Sequence, residues 1–316
     1  MRYPIFLNIC EYGRLANTMF QVMFAREIER NSTRSFRLTG FGIPEWGIIL
    51  PPSEGSPSIR IGSSHTRVRD VASLLNRYDV QRLDIIGGVM RWSNKLPPDD
   101  YADLFPKDRG SPTPVSPNRL LIHIRLGDVA TPTHPLYGPL PVGYYRYLCE
   151  STGLDPTFIG ELQPSRYVDD LHAHFSTAHF LTGGSPLDDF QTIRHARNIA
   201  TAVSSFSLLA AFMSDSQCIH VPVAGMLDPR AAPMIDLLPI KDCRYTFHHI
   251  PSEIWASRYS NFRQGGQFCT YDAKELVQLK NNVERQQMLA SLRVRLAMER
   301  HAVRDAISRR FFTRPI

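Results

Sequence analysis

Paired cysteine is the first thing this sequence lacks. Its five cysteines, Cys10, Cys149, Cys218, Cys243 and Cys269, are odd in number, widely spread and form no CxxC pair. That argues against a disulfide framework and a zinc site, and for a reducing setting. Long apolar runs are missing too: nothing approaches the roughly 18 uninterrupted apolar residues of a membrane span. The opening MRYPIFLNIC has a short apolar run that leads straight into a glycine turn, which predicts a first β-strand rather than a signal peptide, and a cytoplasmic location. Internal repeats and low-complexity tracts are absent. So is charge on the body of the chain. Of the net +6, the segment from Asp272 to Ile316, with ten Lys/Arg against five Asp/Glu, carries +5 and leaves +1 for the rest. A nearly neutral body excludes an extended nucleic-acid surface, whereas a basic tail is either a solvated helix face or a local anionic contact.

What is present is an ordinary globular composition, 43% hydrophobic and 21% charged, over 316 residues. That length suits two domains of about 110 to 150 residues each. Residues 3–10 read as a strand. Asn17 to Asn31 read as a helix, with Met19, Phe20, Met23, Phe24 and Ile28 on one side. Residues 40–115 are broken by Pro and Gly, with one further strand legible near Leu83 to Val89. Phe105 to Asn118, which holds four prolines, reads as a linker. Beyond it, strand-like and helix-like stretches alternate: RLLIHIRLGD, VGYYRYLCES, DPTFIGEL, AHFLTGG, DDFQTIRHARN, IATAV, SSFSLLAAFMSD and CIHVPV. This order predicts βαβ units on a mostly parallel sheet, whose ligands bind beyond the carboxyl ends of the strands. From Asp272 to Arg310 the pattern becomes a long helix with a broken apolar stripe. The expected domains are residues 1–110 (an acceptor-side α/β domain), 118–250 (a Rossmann-like nucleotide-sugar domain) and 251–316 (a helical extension).

Three polar clusters stand at predicted strand ends. In the first, strand alternation sends His123 and Arg125 to one side, with Asp128 following. The guanidinium fork of Arg125 either grips a diphosphate or pairs with Asp128. In the second, a strand ends at Ser204 and Ser205 and a helix begins. A serine there caps the helix, and the remaining N–H groups attract phosphate through the macrodipole. Asp189 opens the preceding helix, where it either accepts from the N–H edge of a purine or caps its own helix. The third is EYGRLANTMFQ, residues 11 to 21. There Gly13 permits close backbone approach and Arg14 and Asn17 add a cation and an amide. The plain alternative is a capped strand-to-helix turn.

GRLAN-MFQ, HIR-GD and SSFS--AA also stand in the order of three signatures of the α-1,2-fucosyltransferases, and the chain resembles that family over about residues 5 to 225. Looser likeness extends to the α-1,6- and protein O-fucosyltransferases. GYYRYLCE resembles a tyrosine pair that follows the family's second signature. The resemblance implies a GT-B fold, two Rossmann-like domains with a cleft between them, GDP-β-L-fucose as donor, a glycan acceptor, no required metal and inversion at the fucose carbon. By position it implies that Arg125 binds the diphosphate, His123 lies near guanine and ribose, and Asp189 accepts from the guanine edge. Ser204, Ser205, Phe206 and Ser207 would hold the β-phosphate, and Gly13, Arg14, Asn17 and Gln21 would line the cleft. Departures stand at Thr18, Leu126, Val203, Leu208 and Leu209. Leu126, one residue on from Arg125, faces the other way and joins the core in one reading.

With GDP leaving as an anion, donors preorganised at the diphosphate supply the main electrostatic help. A carboxylate, Glu11 or Asp128, takes the acceptor proton. Two other readings stay open: an inactive sugar-nucleotide or glycan-binding relative, and a transferase with another linkage or another GDP-sugar. The arginines of the C-terminal helix either rest on anionic lipid, placing the enzyme peripherally at the inner membrane face, or decorate a helix that packs on the body or pairs in a homo-oligomer.

Overall fold

A computed structural model describes residues 4–53, 59–62, 65–92, 95–131, 135–259 and 267–312, with side chains described to residue 304. The chain forms two compact units. One comprises Met1–Pro106, Met234–Asp236 and Glu284–Ile316, the other Lys107–Pro233 and Leu237–Val283. Each is built on a mainly parallel sheet with helical crossovers, so the expected α/β class with two Rossmann-like units and a C-terminal helical extension holds.

In the first unit the strands are β1 (Ile5–Ile9), β2 (Phe36–Gly40), β3 (Ile59–Ile61) and β4 (Arg82–Ile85), in the order β2-β1-β4-β3. All three pairings are parallel. Between β1 and β2 runs α1 (Leu15–Arg30), and between β3 and β4 runs α2 (Val68–Arg77). The apolar residues read from the sequence, Met19, Phe20, Met23, Phe24 and Ile28, are fully buried. Burial on α1 reaches further round than one stripe, however, taking in Thr18, Gln21 and Glu27.

Gln21 and Glu27 each find partners there, which offsets the cost of burying them. The Glu27 carboxylate accepts from Lys95 Nζ at 2.9 Å and from the Tyr101 hydroxyl, and the Lys95 ammonium lies 5.2 Å from the centre of the Phe20 ring. Burial pushes the Glu27 carboxyl up and the Lys95 amine down.

In the second unit β5 (Arg119–Ile124), β6 (Asp155–Gly160), β7 (His179–Leu181), β8 (Asn198–Ala200), β9 (Cys218–Val223) and β10 (Tyr245–His249) are parallel, and β11 (Cys269–Thr270) adds antiparallel to β10. Their crossovers include α3 (Val142–Thr152), α4 (Arg166–His174), α5 (Pro186–His195) and α6 (Ser205–Phe212). A short α7 (Ser252–Ala256) follows β10. The strand β5 is almost wholly buried, which fits its uninterrupted apolar run LLIHI. Leu208 and Leu209 are fully buried and Leu126 is 6% exposed, so the three leucines are core residues. Burying each stabilises the fold by about 1.5–3 kcal/mol.

The C-terminal stretch expected as one helix is two, α8 (Ala273–Gln286) and α9 (Met288–Phe312). From α9, Met298 and Ala302 are buried, and the helix packs on α2 and β3 of the first unit. No disulfide joins the described cysteines; Cys243 and Cys269 are exposed and the other three half-buried.

Candidate functional site

The second sheet runs β11-β10-β9-β8-β5-β6-β7. The chain starts at β5, winds outward through β6 and β7, then returns to β8 on the other flank of β5 and winds away through β9. The direction reverses between β5 and β8, and a crevice opens at their carboxyl ends in folds of this kind. Two of the three sequence clusters stand there. His123, Arg125 and Asp128 follow from β5, and Ser204 to Ser207 follow from β8.

The two meet through aromatic contact. The buried His123 ring lies 5.4 Å from that of Phe206, tilted by 31°, and Phe206 in turn meets Phe190 of α5 edge-on at 5.6 Å. Burial pushes His123 down to about 4, with Arg125 adding to the effect, so the imidazole is neutral at neutral pH. Its Nδ1 has no hydrogen-bond partner among the described residues. Gly160, at the end of β6 with φ +108°, leaves room for this ring: a Cβ there would stand 3.1 Å from His123 Nε2 and 2.5 Å from the Ile124 carbonyl.

The guanidinium of Arg125 is held on both sides. It donates to Asp128 and to Glu161, the residue just past β6. The second Glu161 oxygen accepts from the Leu126 amide at 2.7 Å. The ion pair with Asp128 is therefore present, and a second carboxylate joins it. Glu161 was not singled out from the sequence. The signal available was its place at the carboxyl end of DPTFIGEL, one strand over from Arg125. Gly127 is needed beside it, since a Cβ there would meet Glu161 Oε1 at 2.5 Å.

At α6, Ser204 is the N-cap and its hydroxyl accepts from the Phe206 amide at 3.2 Å, while the Ser207 hydroxyl turns back to accept from the Ala202 amide at 3.1 Å. These are capping roles. They leave the helix N-terminus, with its partial positive charge, facing the strand end.

At the start of α5 the capping alternative for Asp189 fails. Ser185 and Asp188 form a capping box, and Asp188 also accepts from the Ser111 amide at 2.6 Å. The Asp189 amide donates to the Ser185 carbonyl at 3.0 Å, and the side-chain hydrogen bonds of this turn go to Ser185 and Asp188, not to the Asp189 carboxylate. Burial, and then its neighbour Asp188, push Asp189 up to about 6.

In the first unit the direction reverses between β1 and β4, and EYGRLANTMFQ follows from β1. Gly13 has φ +67°, and a Cβ there would lie 2.2 Å from Asn17 Nδ2. Arg14 is the extended N-cap of α1 and provides no side-chain cap. Gln21, expected on the cleft wall, is instead fully buried, where its amide donates to the carbonyls of Ile85 at 2.9 Å and Gly87 at 3.5 Å. It ties α1 to the end of β4. Glu11 is exposed.

No family model matches the chain, and no curated protein matches it. Among solved structures it is similar to the bacterial iron-containing dodecameric glycosyltransferase TibC of enterotoxigenic Escherichia coli. The TM-score is 0.41 at 12% identity, over 73% of this chain and 61% of that one, so the chain spans less than two thirds of TibC. It is also similar to the E. coli heptosyltransferase WaaC with ADP, with a TM-score of 0.42 at 10% identity over 88% of this chain and 100% of that one. Likeness this distant lends no activity or ligand to the chain.

The expected membership of the α-1,2-fucosyltransferases does not hold, since none of these matches is a fucosyltransferase. The physical reason is visible in the motifs themselves. A positive-φ glycine turn, an arginine paired with the acid three residues on, and serines capping a helix are what many strand-to-helix turns require.

Proposed function

We propose that the protein is a glycosyltransferase whose second unit binds the nucleotide of an activated sugar at the reversal between β5 and β8. The observation behind this reading is the meeting of two clusters there. A neutral buried His123 lies beside Phe206, at the N-terminus of α6, and α5 next to it presents the Asp189 carboxylate. A helix N-terminus facing a strand end suits a diphosphate. A carboxylate with spare acceptor capacity suits a base edge rich in N–H donors, and guanine offers two such groups, N1–H and the exocyclic amine, against one in adenine or uracil. Donors fixed before the reaction stabilise the charge that grows on the departing diphosphate.

Arg125 enters with its two carboxylates already in place, so in this reading it orients the β5 end as much as it neutralises phosphate. Glu11 and Asp128 are the candidates for the carboxylate base that takes the acceptor proton.

Calorimetry with GDP, ADP and UDP tests the binding reading. Binding of GDP in preference to the other two, lost in Arg125→Gln and weakened in Asp189→Asn, is expected; no binding of any of the three would sink it. Transfer is tested by donor turnover with a panel of nucleotide sugars. There Glu11→Gln and Asp128→Asn are compared for lost turnover with binding retained.

A further inference from the structure

The helix α9 has two apolar faces. One packs on α2 and β3 through Met298 and Ala302, and beside it the Ser291 hydroxyl lies within 3.4 Å of His65. The opposite face is not covered. Met288, Leu289, Leu292 and Leu296 are 67%, 64%, 42% and 39% exposed. Leu289, Leu292 and Leu296 follow helical spacing and form one stripe. Along one edge of it, two turns and then one turn apart, run Arg293, Arg300 and Arg304, all exposed. None of the three has a carboxylate partner among the described residues.

We propose that this face of α9 docks on the surface of an anionic lipid bilayer, the leucines entering the headgroup boundary and the arginines meeting lipid phosphates. The choice of occupant rests on charge. The one acid of this helix among the described side chains, Glu299, is already engaged by Arg77 at 2.9 Å and by the Tyr78 hydroxyl at 3.3 Å. A second copy of the same face would bring arginine against arginine with no acid among the described side chains to answer it, whereas a sheet of phosphates supplies one for each. An apolar stripe edged by basic residues lies in the interface plane rather than crossing it. Consistently, no helix among the described residues is long and apolar enough to span a bilayer. The inference stands apart from the proposed nucleotide site and does not depend on it.

Flotation of the full chain with vesicles of phosphatidylcholine alone, and of phosphatidylcholine with phosphatidylglycerol, is the test. Wild type is expected to float with the anionic vesicles only, and to be released as salt rises. Replacing the three arginines together by Gln should weaken binding about a hundredfold, at roughly fivefold per charge. Leu289→Ser with Leu292→Ser should abolish binding. Circular dichroism and melting temperature of both variants confirm that the fold is kept, since neither set of side chains is buried. Three results would overturn the proposal: no flotation of wild type with anionic vesicles, variants that float as well as wild type, or a wild-type dimer in sedimentation that the leucine variant dissociates.

Discussion

Asp189→Asn should stabilise the free protein while weakening its hold on nucleotide. The carboxylate is raised from 3.8 to about 6 by burial and by Asp188. Two units correspond to about 3 kcal/mol against the charged form. The group is still partly open to water, and screening reduces the gain from neutralising it to about 1–1.5 kcal/mol. For a unit of this size that is a rise of roughly 3–5 °C in melting temperature. The sign with pH follows from linkage. The folded protein holds the Asp189 proton more tightly than the unfolded chain, so its penalty is absent below about pH 4, grows as pH rises through about 6 and is constant above. Thermal melts of both proteins from pH 4 to 8 should therefore separate with rising pH and stay parallel above about 7. The nucleotide affinity of wild type, but not of Asp189→Asn, should fall as pH drops below about 6. A variant destabilised equally at every pH would refute the reasoning, because it would mean that the carboxylate holds the structure together.

Lys95→Met leaves the Glu27 carboxyl buried without its cation, and loss of about 3–5 kcal/mol is expected in urea unfolding; pairing it with Glu27→Gln should restore part of that loss. Gly13→Ala forces a side chain into positive φ against the Asn17 amide and should cost about 1–3 kcal/mol. Gly183→Ala, also at positive φ but with nothing within 4 Å of the added Cβ, should cost about 1–2 kcal/mol, strain without a clash. Glu161→Gln weakens the hold on Arg125 from one side, and nucleotide affinity rather than melting temperature should report it if the β5 end is the binding site.

Much of the second unit was legible because its central strands, such as β5 and β9, are buried almost throughout and read as short apolar runs separated by helices. The β5 and β8 ends, with His123, Arg125 and the Ser204–Ser207 turn, follow from that pattern alone. The pairing of Arg125 with Glu161 did not, because residues 36 apart meet only through sheet order, which a sequence pattern does not express. In the first unit α2 was hidden. Its ten residues, VRDVASLLNR, lie in a stretch where Pro and Gly obscure the period, although Val68, Val71, Ala72, Leu74 and Leu75 mark its buried face. Gln21 was misplaced for a related reason: a polar residue on a helix reads as surface or site until the carbonyls that satisfy it are known. The family resemblance failed at the same point. Its motifs were turn chemistry, and turn chemistry is shared by unrelated sheets.

The first unit draws α9 from the far end of the chain to cover β3 and α2. A ribosome therefore makes that unit first and completes it last, after the whole of the second has emerged. Until then, the apolar surface that receives Met298 and Ala302 is open to water and to other nascent chains. A fragment ending near Pro106 holds all four strands of the sheet and still lacks its closing helix, and expression of that fragment alone should give an aggregation-prone product.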